Sequence, residues 1–123
     1  MKLDYDLMRS ILLTVEDKES HPPGMRIRDI SRILERPLNE VLYHLDLLCE
    51  KELLKVTDYS SIYEKDYRID RLTFSGHEYL NNIRDNTIWE KAKDQLSKVA
   101  SSASIEILGQ IASSILKKSL GID

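Results

Sequence analysis

The feature that most constrains the fold is a proline standing between two short amphipathic segments. Residues 28–34 and 38–52 each carry apolar side chains at helical spacing, and Pro37 separates them. The residue before a proline avoids the helical region, so the first helix must end by Arg36. A proline is tolerated just ahead of a helix, which allows the second helix to begin at Leu38. Two helices joined by so short a turn have the spacing of a helix-turn-helix.

Flanking segments predict the rest of the first domain. Residues 4–17 have helical periodicity, and the prolines and glycine within residues 21–24 then break the chain. Residues 53–60 and 67–74 have strand character, with a polar hairpin tip between them. Three helices followed by a β-hairpin predict a mainly α fold, a winged helix-turn-helix.

The second predicted strand leads into a further helix through a joint rich in capping residues. Simple alternation along the strand places Ile69 and Leu72 on opposite faces. The helix that follows has Thr73 or Ser75 as its predicted N-cap. Ser75 and Glu78 stand three residues apart and also have the spacing of a capping box.

Additional C-terminal helices are predicted over residues 87–102 and 104–121, and Gly121 is the expected cap of the last one. Small residues between these helices indicate a joint. We therefore predict a winged-helix domain with its following helix over residues 1–100, and a separate amphipathic helix over residues 101–123.

The last helix carries an apolar stripe that includes Leu108, Ile111 and Ile115. Such a stripe can pair with a second chain, so we expect homo-oligomerisation through these three residues. Packing within the same chain is the next alternative. Contact with a membrane surface ranks last, because the polar side of the helix carries few positive charges.

The cysteine content and the apolar stretches of the chain indicate the cellular compartment in which the protein is expected. The chain has 123 residues, a net charge of −3 and a single cysteine, Cys49, which excludes an intramolecular disulfide and fits a reducing cytoplasm. The N-terminus is too acidic, and its apolar run too short, for a signal peptide. No stretch approaches the length of a membrane span, so we expect a cytoplasmic protein with no membrane partner.

A surface for double-stranded DNA is predicted on the helix-turn-helix and the hairpin. Arg28 and Arg32 share one helix face at four-residue spacing, where guanidinium groups can contact phosphates. The next helix carries more carboxylates than cations, and carboxylates repel phosphates. An equally weighted alternative pairs both arginines with carboxylates on a solvated face. The predicted contacts are Arg28, Arg32, Asn39, Tyr43, His44, Lys65 and Arg68.

No catalytic residue, metal or cofactor is expected, and we predict that the protein is not an enzyme. His77 and Glu78 suggest zinc chemistry, but a zinc-binding helix needs a second histidine four residues after the first, and that position is Asn81. Cys49 lies on the apolar side of its helix, which is typical of an inert thiol.

Two stretches resemble known families. Residues 36–56 (RPLNEVLYHLDLLCEKELLKV) are similar to the recognition-helix region of bacterial winged-helix regulators. Residues 71–93 (RLTFSGHEYLNNIRDNTIWEKAK), with the N-terminal MKLDYDLMRSILL, resemble a bacterial and prophage family of unknown function. The second resemblance covers nearly the whole chain and implies a winged helix in a mobile-element context, without an activity.

Fold and resemblance together predict a DNA-associated transcriptional regulator of phage or mobile-element type. In the alternative, the winged helix has lost DNA contact and binds a host or phage protein, because a fold does not fix a function.

Overall fold

Three helices, a β-hairpin and three further helices follow one another along the described part of the chain. The structure is a computed structural model that describes residues 1–18, 25–99 and 104–122. The elements are α1 (Tyr5–Lys18), α2 (Ile27–Leu34), α3 (Leu38–Glu50), β1 (Leu54–Asp58), β2 (Tyr67–Leu72), α4 (Phe74–Ile83), α5 (Asn86–Val99) and α6 (Ile105–Ser119). This order confirms the predicted winged helix-turn-helix with additional helices. The predicted chain break at residues 21–24 lies outside the described residues.

The chain divides into two compact units, residues 1–77 and residues 78–123. The helix-turn-helix and the hairpin lie in the first unit, and α5 packs on α6 in the second. The predicted boundary after residue 100 differs from this division, because it grouped the helix now seen as α5 with the winged helix.

The first unit has one apolar core beneath the helix-turn-helix. Helices α1, α2 and α3 pack against one another, and β2 packs on α1. The buried side chains of the three helices are Leu7, Met8, Ile11, Leu12, Val15, Ile27, Ile30, Val41, Leu45 and Leu48. Because these side chains recur at helical spacing, burying one face of each helix leaves the opposite faces of α2 and α3 in solvent.

The turn between α2 and α3 follows from the sequence around Pro37. Glu35 ends α2 in the left-handed conformation, with φ of 54°. The Arg36 N–H donates to the Ser31 carbonyl over 3.1 Å, and the Ser31 hydroxyl donates to the Arg36 carbonyl over 2.6 Å. Pro37 then occupies the N-cap, and α3 begins at Leu38 as predicted.

A β-bulge decides which side chains of the hairpin face the core. The two strands pair antiparallel, but the register shifts between Lys55 and Val56, which makes Asp70 the extra residue of β2. An extra residue reverses the alternation of side chains, so Ile69 and Leu72 are both buried. The prediction that these two residues lie on opposite faces is wrong for this reason.

Thr73 connects β2 to α4 and caps that helix. Its hydroxyl accepts the Gly76 N–H over 2.9 Å and donates to the Glu52 carbonyl over 2.5 Å. Gly76 is required here, because a Cβ at this position would stand 2.1 Å from the Leu53 carbonyl oxygen. Ser75 lies inside the helix, so the predicted capping box does not form.

In the second unit, α6 buries a face that contains small residues. The Tyr79 ring lies against Gly109, where a Cβ would approach a ring carbon to 2.8 Å. The Tyr79 hydroxyl donates to the Ile105 carbonyl over 2.6 Å. Trp89 and Ala92 of α5 are also buried.

The three residues predicted to form the oligomer contact differ in how deeply they are buried within the unit. Leu108 is fully buried inside the unit, so its predicted contact with a second chain is wrong. Ile111 and Ile115 are only half-buried. The predicted cap is confirmed, since Gly121 has φ of 75° and the Ile122 N–H donates to the carbonyl five residues earlier, as in a Schellman motif.

Candidate nucleic-acid interface

Helix α3 presents an uncharged pair of side chains to solvent in its N-terminal half. Asn39 and Tyr43 are both exposed, and four-residue spacing places them on the same helix face. An asparagine amide can read base edges, and a tyrosine hydroxyl can contact the phosphate backbone. Both residues have the exposed position that the sequence predicted.

His44 lies on the other side of α3. Its side chain is 1% exposed, its Nε2 accepts the Asp4 N–H over 2.8 Å, and its Nδ1 lies 2.8 Å from the Glu40 carbonyl oxygen. A carbonyl only accepts, so Nδ1 is the donor in this contact and Nε2 is the acceptor in the other. The prediction that His44 contacts DNA is wrong, because its ring is a buried link between α3 and the start of α1.

Two carboxylates on α3 are engaged by neighbouring side chains. Glu40 lies 2.8 Å from the Arg36 guanidinium. Asp46 accepts the Tyr67 hydroxyl over 2.7 Å and lies 3.8 Å from the Lys65 ammonium. Burial and the bond to Asp46 raise the pKa of Tyr67, which keeps its hydroxyl a donor. These contacts reduce the repulsion that the two carboxylates would exert on a phosphate.

Helix α2 carries two exposed arginines, each beside a carboxylate. The Arg28 guanidinium lies 2.8 Å from Glu64 on the hairpin, and the two side chains are 69% and 54% exposed. The Arg32 guanidinium lies 3.7 Å from Asp29 on its own helix. Ion pairs this exposed contribute about 0–1 kcal/mol, so a phosphate can exchange with the carboxylate. The alternative predicted from the sequence, in which both arginines pair with carboxylates, is therefore present. A phosphate can replace the carboxylate in each pair.

Two further cations stabilise the hairpin itself. The Arg26 guanidinium lies 2.7 Å from Asp66 and 4.5 Å from the centre of the Tyr59 ring. Arg68 lies 2.7 Å from Asp70 and donates to the Tyr59 hydroxyl over 3.1 Å. The bond to Asp70 raises the pKa of Arg68. Arg68 is thus engaged within the hairpin, whereas Arg28 and Arg32 extend further into solvent.

The tip of the hairpin exposes two large apolar side chains. Ile62 and Tyr63 are 90% and 91% exposed. The turn beneath them is ordered, because the Ser61 hydroxyl accepts the Tyr63 and Glu64 N–H groups and the Ser61 N–H donates to the Glu64 carbonyl. Sequence reasoning treated this tip as polar and overlooked the adjacent Ile62 and Tyr63.

Comparison with known proteins places this winged helix in a family. The family model described as "Hypothetical protein (DUF2513)" matches residues 2–103. The chain belongs to the DUF2513 family. An uncharacterized protein of Haemophilus influenzae is 33% identical over 120 residues, which are 98% of this DUF2513 chain and 99% of the relative. The family model and this relative confirm the predicted resemblance to a bacterial family of unknown function.

Solved structures similar to this DUF2513 protein include FabT and MepR. Streptococcus pneumoniae FabT, in complex with DNA, is 14% identical with a TM-score of 0.47, over 98% of this chain and 78% of FabT. MepR, a transcription regulator of the Staphylococcus aureus multidrug efflux pump MepA, is 21% identical with a TM-score of 0.45, over 93% and 77% of the two chains. At TM-scores below 0.5, these similarities carry no functional conclusion.

His77 and Cys49 are the two residues of this DUF2513 protein that were considered from the sequence for metal binding and for a reactive thiol. His77 lies 4.0 Å from Glu16 on α1. Within residues 1–18, 25–99 and 104–122, no three His, Cys, Asp or Glu side chains are grouped to hold a metal. Burial, and then the Asp46 carboxylate, raise the pKa of Cys49 to about 11, so its reactive thiolate is scarce at neutral pH. Among the same residues, no helix has both the length and the apolar character to cross a membrane.

Proposed function

We propose that this DUF2513 protein is a non-enzymatic, DNA-associated transcriptional regulator. The observation that carries the proposal is which side chains of α3 are paired and which face solvent. Glu40 and Asp46 are engaged by neighbours, while the uncharged Asn39 and Tyr43 face solvent. Glu50 is also exposed, but it lies eleven residues from Asn39, or about 16 Å along the helix axis.

In the proposed complex, the N-terminal half of α3 enters the major groove. Asn39 and Tyr43 then approach base edges or the adjoining backbone. Arg28 and Arg32 of α2 exchange their carboxylate partners for phosphates, which positions the helix without reading sequence. Arg68 pairs with Asp70 inside the hairpin, and Lys65 pairs with Asp46 of α3. We assign their phosphate contacts a secondary place in the complex for this reason.

The test is fluorescence anisotropy of a labelled random duplex, titrated with the protein at low and then physiological salt. We expect binding that weakens steeply as salt rises, because phosphate contacts release counterions. The double variant Arg28→Gln/Arg32→Gln should bind more weakly and lower the salt slope by up to about two. The control is Lys98→Gln, compared with each single arginine variant, because it also removes one exposed cation that pairs with a carboxylate, here Asp94 on its own helix. Absence of binding at low salt by a folded sample would refute the proposal.

The biological setting that we propose is the cytoplasm of a bacterium, with the gene in a prophage or another mobile element. The support is the resemblance of residues 71–93 to a family with such members. A homo-oligomer formed through the half-buried Ile111 and Ile115 belongs to the same proposal. Replacing both isoleucines by serine should lower the mass measured by sedimentation, while unchanged mass would exclude this contact.

A second candidate function, a protein-interaction module, is favoured by the hairpin tip. Ile62 and Tyr63 stand on an ordered turn, so little entropy is lost when a partner binds them. The test compares wild-type and Ile62→Ser/Tyr63→Ser baits, followed by titration of any purified partner that only the wild type retains. Equal affinity of both proteins for that partner would reject the tip as the docking element.

A further inference from the structure

Three consecutive residues of the hairpin tip each pair with the helix-turn-helix. Residue 64 pairs with α2, residue 65 with α3, and residue 66 with Arg26, the residue just before α2. These three charged residues of the hairpin therefore lie against the elements that contact DNA in the proposed function. Of the three pairs, that of Glu64 engages Arg28, which the proposed function makes one of the two main phosphate contacts.

Glu64 is positioned by the backbone of the tip. Its N–H donates to the Ser61 hydroxyl over 3.1 Å, and its carbonyl accepts the Ser61 N–H over 2.8 Å. The carboxylate therefore extends from an ordered turn and places Oε1 2.8 Å from the Arg28 guanidinium. A carboxylate at this distance occupies a donor that a phosphate oxygen would use and offsets the charge that attracts it.

We propose that Glu64 competes with phosphates for Arg28 and so lowers the affinity of the protein for duplexes of arbitrary sequence. This inference rests on the proposed DNA-binding function. Every duplex must displace Glu64 before Arg28 can bind its backbone. The same cost falls on every duplex, so only a duplex that also forms good contacts with α3 is bound tightly.

The probe is a labelled random duplex at low salt, because it reports binding that depends on the backbone. Glu64→Gln removes the charge and keeps the shape of the side chain. We expect it to tighten binding about twofold to fivefold, the range expected when one exposed ion pair is lost. In an Arg28→Gln background the same change should have a much smaller effect, because the cation for which Glu64 competes is absent.

Asp58→Asn is the matched control. It removes one negative charge from the same hairpin, at a side chain that accepts the Ser60 N–H over 2.7 Å within its own turn. The asparagine oxygen can still accept that bond, so the turn should keep its shape. We expect Asp58→Asn to tighten binding less than Glu64→Gln does, and by the same factor in both Arg28 backgrounds.

The outcomes separate this inference from the proposed function. If the folded wild type does not bind the duplex at low salt, the proposed DNA-binding function fails, and the inference with it. If the wild type binds but Glu64→Gln binds no more tightly than Asp58→Asn, only the inference fails. An equal effect of Glu64→Gln with and without Arg28 would also overturn it, because a general change in charge would then explain the result.

Discussion

Two polar networks of the first unit contain ion pairs of the same length in different surroundings. The Arg36 guanidinium lies 2.8 Å from Glu40, and the Arg28 guanidinium lies 2.8 Å from Glu64. The first pair is about one-third exposed and adjoins the buried ring of His44, whereas the second stands mostly in solvent. Equal distances therefore do not imply equal roles, because burial decides how much a lost partner costs.

The network around His44 therefore has a structural role, whereas the contacts around Arg28 can exchange. Around His44, a polar group that loses its partner stays poorly hydrated, so those contacts must persist in the folded protein. Around Arg28, water or a phosphate can replace the carboxylate at little cost. Substitutions in the two networks should accordingly differ in their effect on the free energy of unfolding.

The largest effect is expected for His44→Ala. The change leaves a cavity in the core and deprives the Asp4 N–H of its acceptor, so the free energy of unfolding should fall by about 2–4 kcal/mol. Chemical denaturation followed by circular dichroism measures it. The control is Asn39→Ala on the exposed face of the same helix, which should change stability by less than about 0.5 kcal/mol. Equal effects of the two substitutions would contradict the structural role of His44.

A smaller loss is expected for Arg36→Gln. The guanidinium joins Glu40 to Asp4, 2.9 Å away, and so links the start of α3 to the start of α1. Because these side chains remain partly exposed, solvent screens the pairs, and we expect a loss of about 1 kcal/mol in the same denaturation assay. Combining Arg36→Gln with Asp4→Asn should cost less than the two single losses together, since both remove one contact. Strict additivity would show that the Arg36–Asp4 pair contributes nothing.

Acid should weaken the same network through Asp4. Burial alone would raise the pKa of this carboxyl, but the Leu7 N–H and Arg36 outweigh burial and lower the pKa below its usual value of 3.8. A lowered pKa stabilises the fold above pH 3.8, and that contribution is lost as pH falls through the pKa of the folded state.

The measurement for Asp4 is the free energy of unfolding at several pH values on either side of the usual pKa. The wild type should lose more stability than Asp4→Asn as the pH falls, because the variant has no carboxylate to protonate. Asp17→Asn, at an exposed position near the end of α1, is the control that retains the Asp4 contribution. Parallel pH profiles for the wild type and Asp4→Asn would contradict this account.

Much of the fold could be predicted because local signals determine it. Pro37 sets the start of α3, and Gly121 sets the end of α6, through backbone constraints that act within a few residues. The bulge at Asp70 could not be predicted, since it depends on pairing with a strand many residues away. The position of α5 likewise depends on packing between helices, which periodicity alone does not specify.

The candidate site was harder to predict than the fold, because exposure on a helix does not reveal the partner in space. Sequence identified Arg28 and Arg32, but the partner Glu64 lies thirty-six residues from Arg28. His44 was misplaced because a histidine near the edge of an apolar stripe fits either side of a helix. The signal that could have found its position is Asp4, since the start of α1 needs an acceptor for its free N–H groups.

The smallest effect on stability is expected for Arg28→Gln, and it completes the comparison with Arg36→Gln. Both variants break a 2.8 Å ion pair, yet the pair of Arg28 is mostly hydrated in the folded state. We expect Arg28→Gln to change the free energy of unfolding by less than about 0.5 kcal/mol, and added salt to abolish the difference. A loss as large as that of Arg36→Gln would mean that Glu64 anchors the hairpin to α2. Phosphate would then have to break a structural contact, and Arg28 could not serve as an exchangeable ligand for DNA.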